Sequence, residues 1–193
     1  KIEAGELQLE YQHFNFIDLL EDVKAIMQAK ANETNLTITI NHPTNTNTIF
    51  IGDSARLRQI FLNLIGNSLK FTLQGGVTIN YHTEDLFNGY QGLSISITDT
   101  GIGMDKKYLK NIFNKFSQED TSTSRKYGGS GLGMAITYEL IQLMNGSVNI
   151  KSKKHEGTVI EIQFLLPTGN KQDIFVENKA TTKATFTNLS ILL

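Results

Sequence analysis

The chain has 193 residues, a length suited to one domain, and its 39% hydrophobic against 19% charged residues supply a core and exclude a fully disordered chain. Lys and Arg number 18 against 19 Asp and Glu, a net charge of -1, so no broad electropositive face for nucleic acid is expected. The cysteine count is 0, which excludes a disulfide framework, a thiolate zinc site and a cysteine nucleophile, and no apolar run approaches the ~18 residues of a membrane span.

The segment Lys1 to Glu10 is short and polar. From Phe16 to Asn32, apolar residues at Phe16, Leu19, Leu20, Val23, Ile26 and Met27 follow the spacing of an amphipathic helix. Leu36 to Ile40 alternates and is β-branched, so it reads as a strand, and Thr48 to Gly52 reads as a second one after a turn-rich stretch. Asp53 is placed to N-cap a long helix that ends near Phe71. Beyond the Gly75-Gly76 break, Val77 to Thr83 and Leu93 to Thr98 alternate as strands around a loop at Phe87 to Gly92. A glycine turn at Gly101 and Gly103 precedes a short helix from Asp105 to Phe113. Asn114 to Gly133 is polar, rich in Ser and Thr and ends in glycines, the composition of a functional loop. Leu132 to Met144 reads as a helix stopped by Asn145-Gly146. Ser147 to Ser152 and Thr158 to Leu165 form a closing hairpin that Pro167 ends, and Thr168 to Leu193 is a polar tail with an apolar end. Strands in two groups separated by helices predict an α/β two-layer sandwich.

On the helix from Ser54 to Phe71, with about 100° of turn per residue, Leu57, Ile60, Phe61, Leu64, Ser68 and Phe71 gather on the side that must pack on the sheet. Arg56, Gln59, Asn63, Asn67 and Lys70 form another stripe. Asn63 and Asn67 are one turn apart and Lys70 follows, so two amide oxygens and an ammonium can converge on one metal–phosphate group. A solvated polar face is the plain alternative. Asp99-Thr100-Gly101-Ile102-Gly103-Met104 directly follows a strand. A carboxylate there can accept a hydrogen bond from the exocyclic amine that adenine offers and guanine lacks at that position, and the glycines allow backbone to approach a ligand closely. Gly128-Gly129-Ser130-Gly131-Leu132-Gly133 opens a helix, where backbone N–H groups suit phosphate. No Lys-Ser or Lys-Thr follows it and no strand precedes it, so it is neither a P-loop nor a dinucleotide fingerprint.

Together these residues resemble the catalytic, ATP-binding domain of sensor histidine kinases, in the superfamily that also holds gyrase, Hsp90 and MutL. Arg56 to Ile60 through Asn63 to Thr72 resembles the N box, Asp99 to Met104 the G1 box, Ile112 to Gln118 the F box, and Arg125 to Met134 the G2 box. The match runs from about Phe14 to Pro167. The resemblance implies a mixed sheet of about five strands backed by three helices, with ATP held under a lid. It implies that Asn67 ligates Mg²⁺ with support from Asn63, and that Lys70 and Arg125 meet the phosphates. It further implies that Asp99 reads the adenine amine, that Phe71 and Met104 line the base pocket beside Gly101 and Gly103, and that Gly129, Ser130, Gly131, Leu132 and Gly133 form the lid backbone. By the same resemblance, the Ser/Thr-rich stretch between Gln118 and Tyr127 would be the lid.

One departure matters. Where the ATPase branches hold a water-activating glutamate, this chain holds Asn63, an amide with no useful basicity, so phosphoryl transfer to an external nucleophile is favoured over fast ATP hydrolysis. The family's acceptor histidine lies upstream in a helical hairpin that bears the dimer interface. Of His13, His42, His82 and His155, only His155 precedes an acid, and the fourth residue after it is Val159 rather than Thr or Asn. Lys1 to Leu7 resembles the end of that hairpin. The expected division is therefore 1–13 for the hairpin end and linker, 14–167 for the catalytic domain, and 168–193 for a linker and the start of a receiver domain, whose first strand Asn188 to Leu193 resembles. The alternative for that tail is a segment docked on the domain's own surface. The resemblance implies a monomeric, cytoplasmic piece that binds ATP and ADP, without nucleic acid or membrane contact of its own. Its parent is either soluble or anchored in the inner membrane, and its partners are the histidine-bearing domain and a receiver or response regulator. Competing readings are a nucleotide-binding regulatory pseudokinase module, a superfamily ATPase, and a serine/threonine kinase of the same superfamily.

Overall fold

The computed structural model describes residues 8–43, 46–114 and 131–174. Five strands form one mixed sheet in the order β2-β4-β5-β7-β6: β2 (Thr37–Asn41), β4 (Gly76–Asp85), β5 (Tyr90–Asp99), β6 (Ser147–Lys153) and β7 (Gly157–Pro167). Only the β2–β4 pair is parallel. A separate antiparallel ribbon joins β1 (Gln12–Asn15) to β3 (Ile49–Gly52). The sequence predicts β3 but not β1, and nothing in the local pattern places β3 outside the main sheet. The F-box helix is also shorter than expected, since α3 covers only Lys106–Leu109 before the chain passes into turns.

Three longer helices cover one face of the sheet: α1 (Phe16–Glu33), α2 (Ser54–Phe71) and α4 (Gly133–Leu143). Helix α2 lies between the other two and meets β4 and β5 beneath it. Its sheet-facing residues Leu57, Ile60, Phe61 and Leu64 are fully buried. They meet the inward positions of the strands, Val77, Ile79 and Tyr81 on β4 and Leu93, Ile95 and Ile97 on β5. Phe16 sits among three aromatic rings, with centroids 5.2 Å from Tyr81, 5.8 Å from Phe61 and 6.3 Å from Phe50. Edge-on packing of this kind adds to the area buried. Through Phe14 and Phe50 the β1–β3 ribbon thus closes one end of the core.

The outer face of the sheet is polar, as alternation requires for a sheet covered on one side. A shallow trough of about 530 Å³ crosses it between Asn80, His82, Ser96 and Glu161. The ends of the domain are fastened together. The Gly169 amide donates to Ile49 O at 2.8 Å, and the Asn170 amide donates to His13 Nδ1 at 3.0 Å. Among the described residues, no helix is long and apolar enough to cross a membrane.

Candidate nucleotide site

Asp53 caps α2 as the sequence predicts, accepting the Arg56 amide at 2.9 Å. A second bond enters that cap, from the Glu10 amide at 3.1 Å, so the incoming chain is tied to the helix that carries the polar stripe. Along that stripe, Asn63, Asn67 and Lys70 are all half-buried. Asn63 Nδ2 donates to Thr137 Oγ1 of α4 at 2.7 Å, and Asn67 Nδ2 contacts Met134 Sδ at 3.5 Å. At Asn63 and Asn67 the stripe therefore faces the start of α4, while Gln59 stays exposed. Lys70 Nζ lies 4.9 Å from the centroid of the Phe71 ring. Partial burial, and secondarily the charge of Lys30, lower the Lys70 pKa from its ordinary value. An anion placed there would favour the charged ammonium and oppose both effects.

The turn after β5 packs against the C-terminal end of α2. The Ile102 amide donates to Phe71 O at 3.0 Å, and Thr100 Oγ1 donates to Gln74 O at 2.8 Å. Gly101 is required here, because a Cβ would lie 2.6 Å from Phe71 O and 2.8 Å from Asp99 Oδ1. Gly103 has φ +63, and a Cβ on it would lie 1.9 Å from Lys153 O. The β6–β7 turn holds the G1 turn from the other side, with the His155 amide donating to Ile102 O at 2.7 Å and Ser152 Oγ accepting from the Met104 amide at 2.8 Å. His155 is thus an exposed turn residue with φ +68.

Asp99 is 7% exposed. Its Oδ1 accepts the Gly101 amide at 2.9 Å, and further hydrogen bonds come from the Ser68 side chain and the Thr158 backbone. Burial raises its pKa above the ordinary carboxylate range despite those bonds, with the Gly101 bond the strongest opposing influence. A carboxylate kept so dry, with oxygen at the mouth of a glycine turn, suits a ligand that brings its own N–H donor.

The G2 segment is described from Gly131 onward. Gly131 has φ +70, and Leu132 O accepts the Ile136 amide at 2.9 Å as α4 begins. Gly133 lies against Asn63, where a Cβ would come within 2.5 Å of Oδ1. The start of α4 therefore faces the polar stripe of α2 directly, an arrangement fit for an anion. Behind it, Phe113 of the F box stacks on Tyr138 with centroids 4.6 Å apart. Of the residues expected at the site, Asn63, Asn67, Lys70, Phe71, Asp99, Gly101, Gly103, Met104, Gly131, Leu132 and Gly133 lie on these adjoining elements. Arg125, Gly129 and Ser130, and the lid between Gln118 and Tyr127, lie outside the described residues. Sequence reasoning missed Ser68, Thr137, Ser152, Gly157 and Thr158. Ser68 left a usable signal, a lone hydroxyl on the apolar side of α2.

The donor set fits a magnesium nucleotide: amide oxygens for a hard cation, an ammonium for phosphate, and glycine positions that a Cβ would fill. This chain belongs to the family of histidine kinase-, DNA gyrase B- and HSP90-like ATPases, whose profile matches residues 52–168. Within the family its relatives are sensor kinases. It is 39% identical to the sensor protein GacS of Pseudomonas syringae pv. syringae over 86% of this chain and 18% of that protein. It is 35% identical to hybrid signal transduction histidine kinase A of Dictyostelium discoideum over 98% of this chain and 9% of that one. The chain thus spans less than a fifth of the length of these relatives. Among solved structures, full-length ShkA in complex with AMPPNP superposes with a TM-score of 0.71 at 30% identity, covering 86% of this chain and 33% of that one. The nucleotide-free catalytic domain of histidine kinase ThkA shares the fold, with a TM-score of 0.61 at 21% identity over 82% of this chain and 96% of that one.

Proposed function

We propose that this chain is the catalytic domain of a hybrid sensor histidine kinase, binding ATP with Mg²⁺ and donating the γ-phosphate to a histidine on a separate helical hairpin. The observation that carries this reading is the facing of two elements. The Asn63–Asn67–Lys70 stripe of α2 meets the glycine start of α4, while buried Asp99 is hydrogen-bonded to Ser68 on the sheet side of the last turn of the same helix. Adenine takes the Asp99 end, between Phe71 and Met104. The phosphates take the Lys70, Gly131, Leu132 and Gly133 end, with Arg125, Gly129 and Ser130 completing it from the lid. Asn67, supported by Asn63, holds Mg²⁺, which supplies charge neutralisation on the phosphates.

The protein's own part in the reaction is placement. Asn63 cannot take a proton from water, so the lone domain turns ATP over slowly and waits for the histidine nucleophile. In this reading residues 1–13 are the end of the hairpin and its linker, 14–167 the catalytic domain, and 168–193 a linker leading to a receiver domain. The partners are the hairpin and a receiver or response regulator. The domain acts in the cytoplasm, and without the hairpin it is a monomer. The test is calorimetry with Mg-ATP and Mg-GTP, then incubation with Mg-ATP and the parent's hairpin. Preferential ATP binding and acid-labile phosphohistidine on the hairpin are expected. Equal ATP and GTP affinity, or no phosphohistidine, contradicts the reading.

A further inference from the structure

Thr137 stands one turn into α4 and is 2% exposed, a hydroxyl among the buried apolar residues Ala135, Leu140 and Ile141. Valine has nearly the same shape and would suit that position on packing grounds alone. The hydroxyl has a partner in the site: Asn63 Nδ2 donates to Thr137 Oγ1 at 2.7 Å, across from α4 to α2. That bond occupies one of the two N–H donors of the amide and leaves the second N–H and the oxygen for other partners. That oxygen lies against Gly133, whose missing side chain leaves the room.

We propose that Thr137 is a positioning residue that ties the Asn63 side chain to the start of α4, holding the amide oxygen beside Gly133 at the phosphate end of the nucleotide site. The proposal deepens the kinase reading and rests on it. Without the hydroxyl the amide is free to turn its N–H₂ toward the site, where a donor repels a cation and binds phosphate directly. The hydroxyl therefore restrains the rotation of the Asn63 side chain. Outer partners that orient a ligand in this way typically govern about 10–100-fold in metal affinity.

The experiment compares the whole chain with Thr137→Val and Thr137→Ser. The first readout is the Asn63 side-chain N–H₂ resonance in the ligand-free protein. It is expected to shift in Thr137→Val and to stay in place in Thr137→Ser. The second is ATP affinity by calorimetry across a Mg²⁺ titration. Thr137→Val is expected to need about tenfold more Mg²⁺ for half-maximal enhancement, with metal-free ATP binding within about twofold of wild type and Thr137→Ser restored. An unshifted Asn63 resonance or an unchanged Mg²⁺ requirement overturns the proposal. So does an equal loss of metal-free binding that serine does not rescue, which marks a merely structural role. If Thr137→Val does not melt as a folded protein, Thr137→Ala takes its place under the same criteria. Wild-type protein that binds no ATP at all sinks the kinase reading instead, a result distinct from all of these.

Discussion

A Cβ on Gly157 would lie 2.0 Å from the carbonyl oxygen of Asp99. The residue that begins β7 thus sets how closely that strand approaches the residue proposed to read adenine. Gly157 also has φ +95, which side-chain-bearing residues adopt only under strain. Gly157→Ala combines a clash with that strain and is expected to destabilise the fold by at least about 2 kcal/mol. Denaturant unfolding measures this, and a loss under about 0.5 kcal/mol would show that the two strands separate easily.

Asp99 carries opposite consequences for binding and for stability. Its pKa is raised in the folded state by burial, so the folded protein holds that proton more tightly than the unfolded chain. Its contribution to stability is therefore fully present below the ordinary carboxylate pKa and is lost as pH rises through the raised value. At neutral pH, Asp99→Asn is expected to raise the melting temperature of the ligand-free protein while abolishing detectable ATP binding. A variant that melts lower, or that still binds ATP, contradicts the account.

The same titration acts on base selectivity. Protonated Asp99 can donate a hydrogen bond to a guanine carbonyl, and ionised Asp99 cannot. Preference for ATP over GTP is expected to increase as pH rises through the raised Asp99 pKa. Affinities for the two nucleotides, measured across that window, check it; a constant ratio would remove Asp99 from the selectivity.

Asn67→Asp places a second anion beside the phosphates while leaving the Asp99 end untouched. Phosphoryl transfer to the hairpin is expected to fall roughly 10–100-fold, with adenosine binding little changed. Transfer at the wild-type rate would take Asn67 off the metal. Gly131→Val, a β-branched residue forced to φ +70, is expected to lose ATP affinity, and unchanged affinity would count against Gly131 as part of the phosphate site.

Deleting residues 171–193 removes one side-chain contact of the described part, His13 Nε2 with Asp173 Oδ2 at 3.7 Å, whose acid is half exposed. Stability and ATP binding are expected to change by no more than about 0.5 kcal/mol. A large loss on thermal melting would show that the tail belongs to the domain.

What the sequence discloses is local chemistry. The α2 helix, its Asp53 cap and its polar stripe were legible because cap, period and stripe lie within one run of residues. The Asp99 turn was legible because its glycines follow a strand immediately. Strand β1 was not, since Gln12–Asn15 is short, lacks alternation and owes its conformation to pairing with Ile49–Gly52. Strand β4 runs past the predicted Thr83 because it pairs with β5 as far as Asp85, and β5 begins before the predicted Leu93 because β7 extends alongside it as far as Pro167. The Thr137 and Ser68 contacts were hidden for a related reason: each joins residues far apart in sequence, and neither hydroxyl announces its partner.

The bond between the Asn170 amide and His13 has a mechanical meaning. Within the described residues the chain enters β1 and leaves β7 at the same pole of the domain. Anything spliced ahead of β1 and anything spliced behind Asn170 begins side by side, however the nucleotide face is turned. The unit is therefore a natural cassette: it can be lifted into a surface loop of an unrelated host without forcing that host's two loop ends apart.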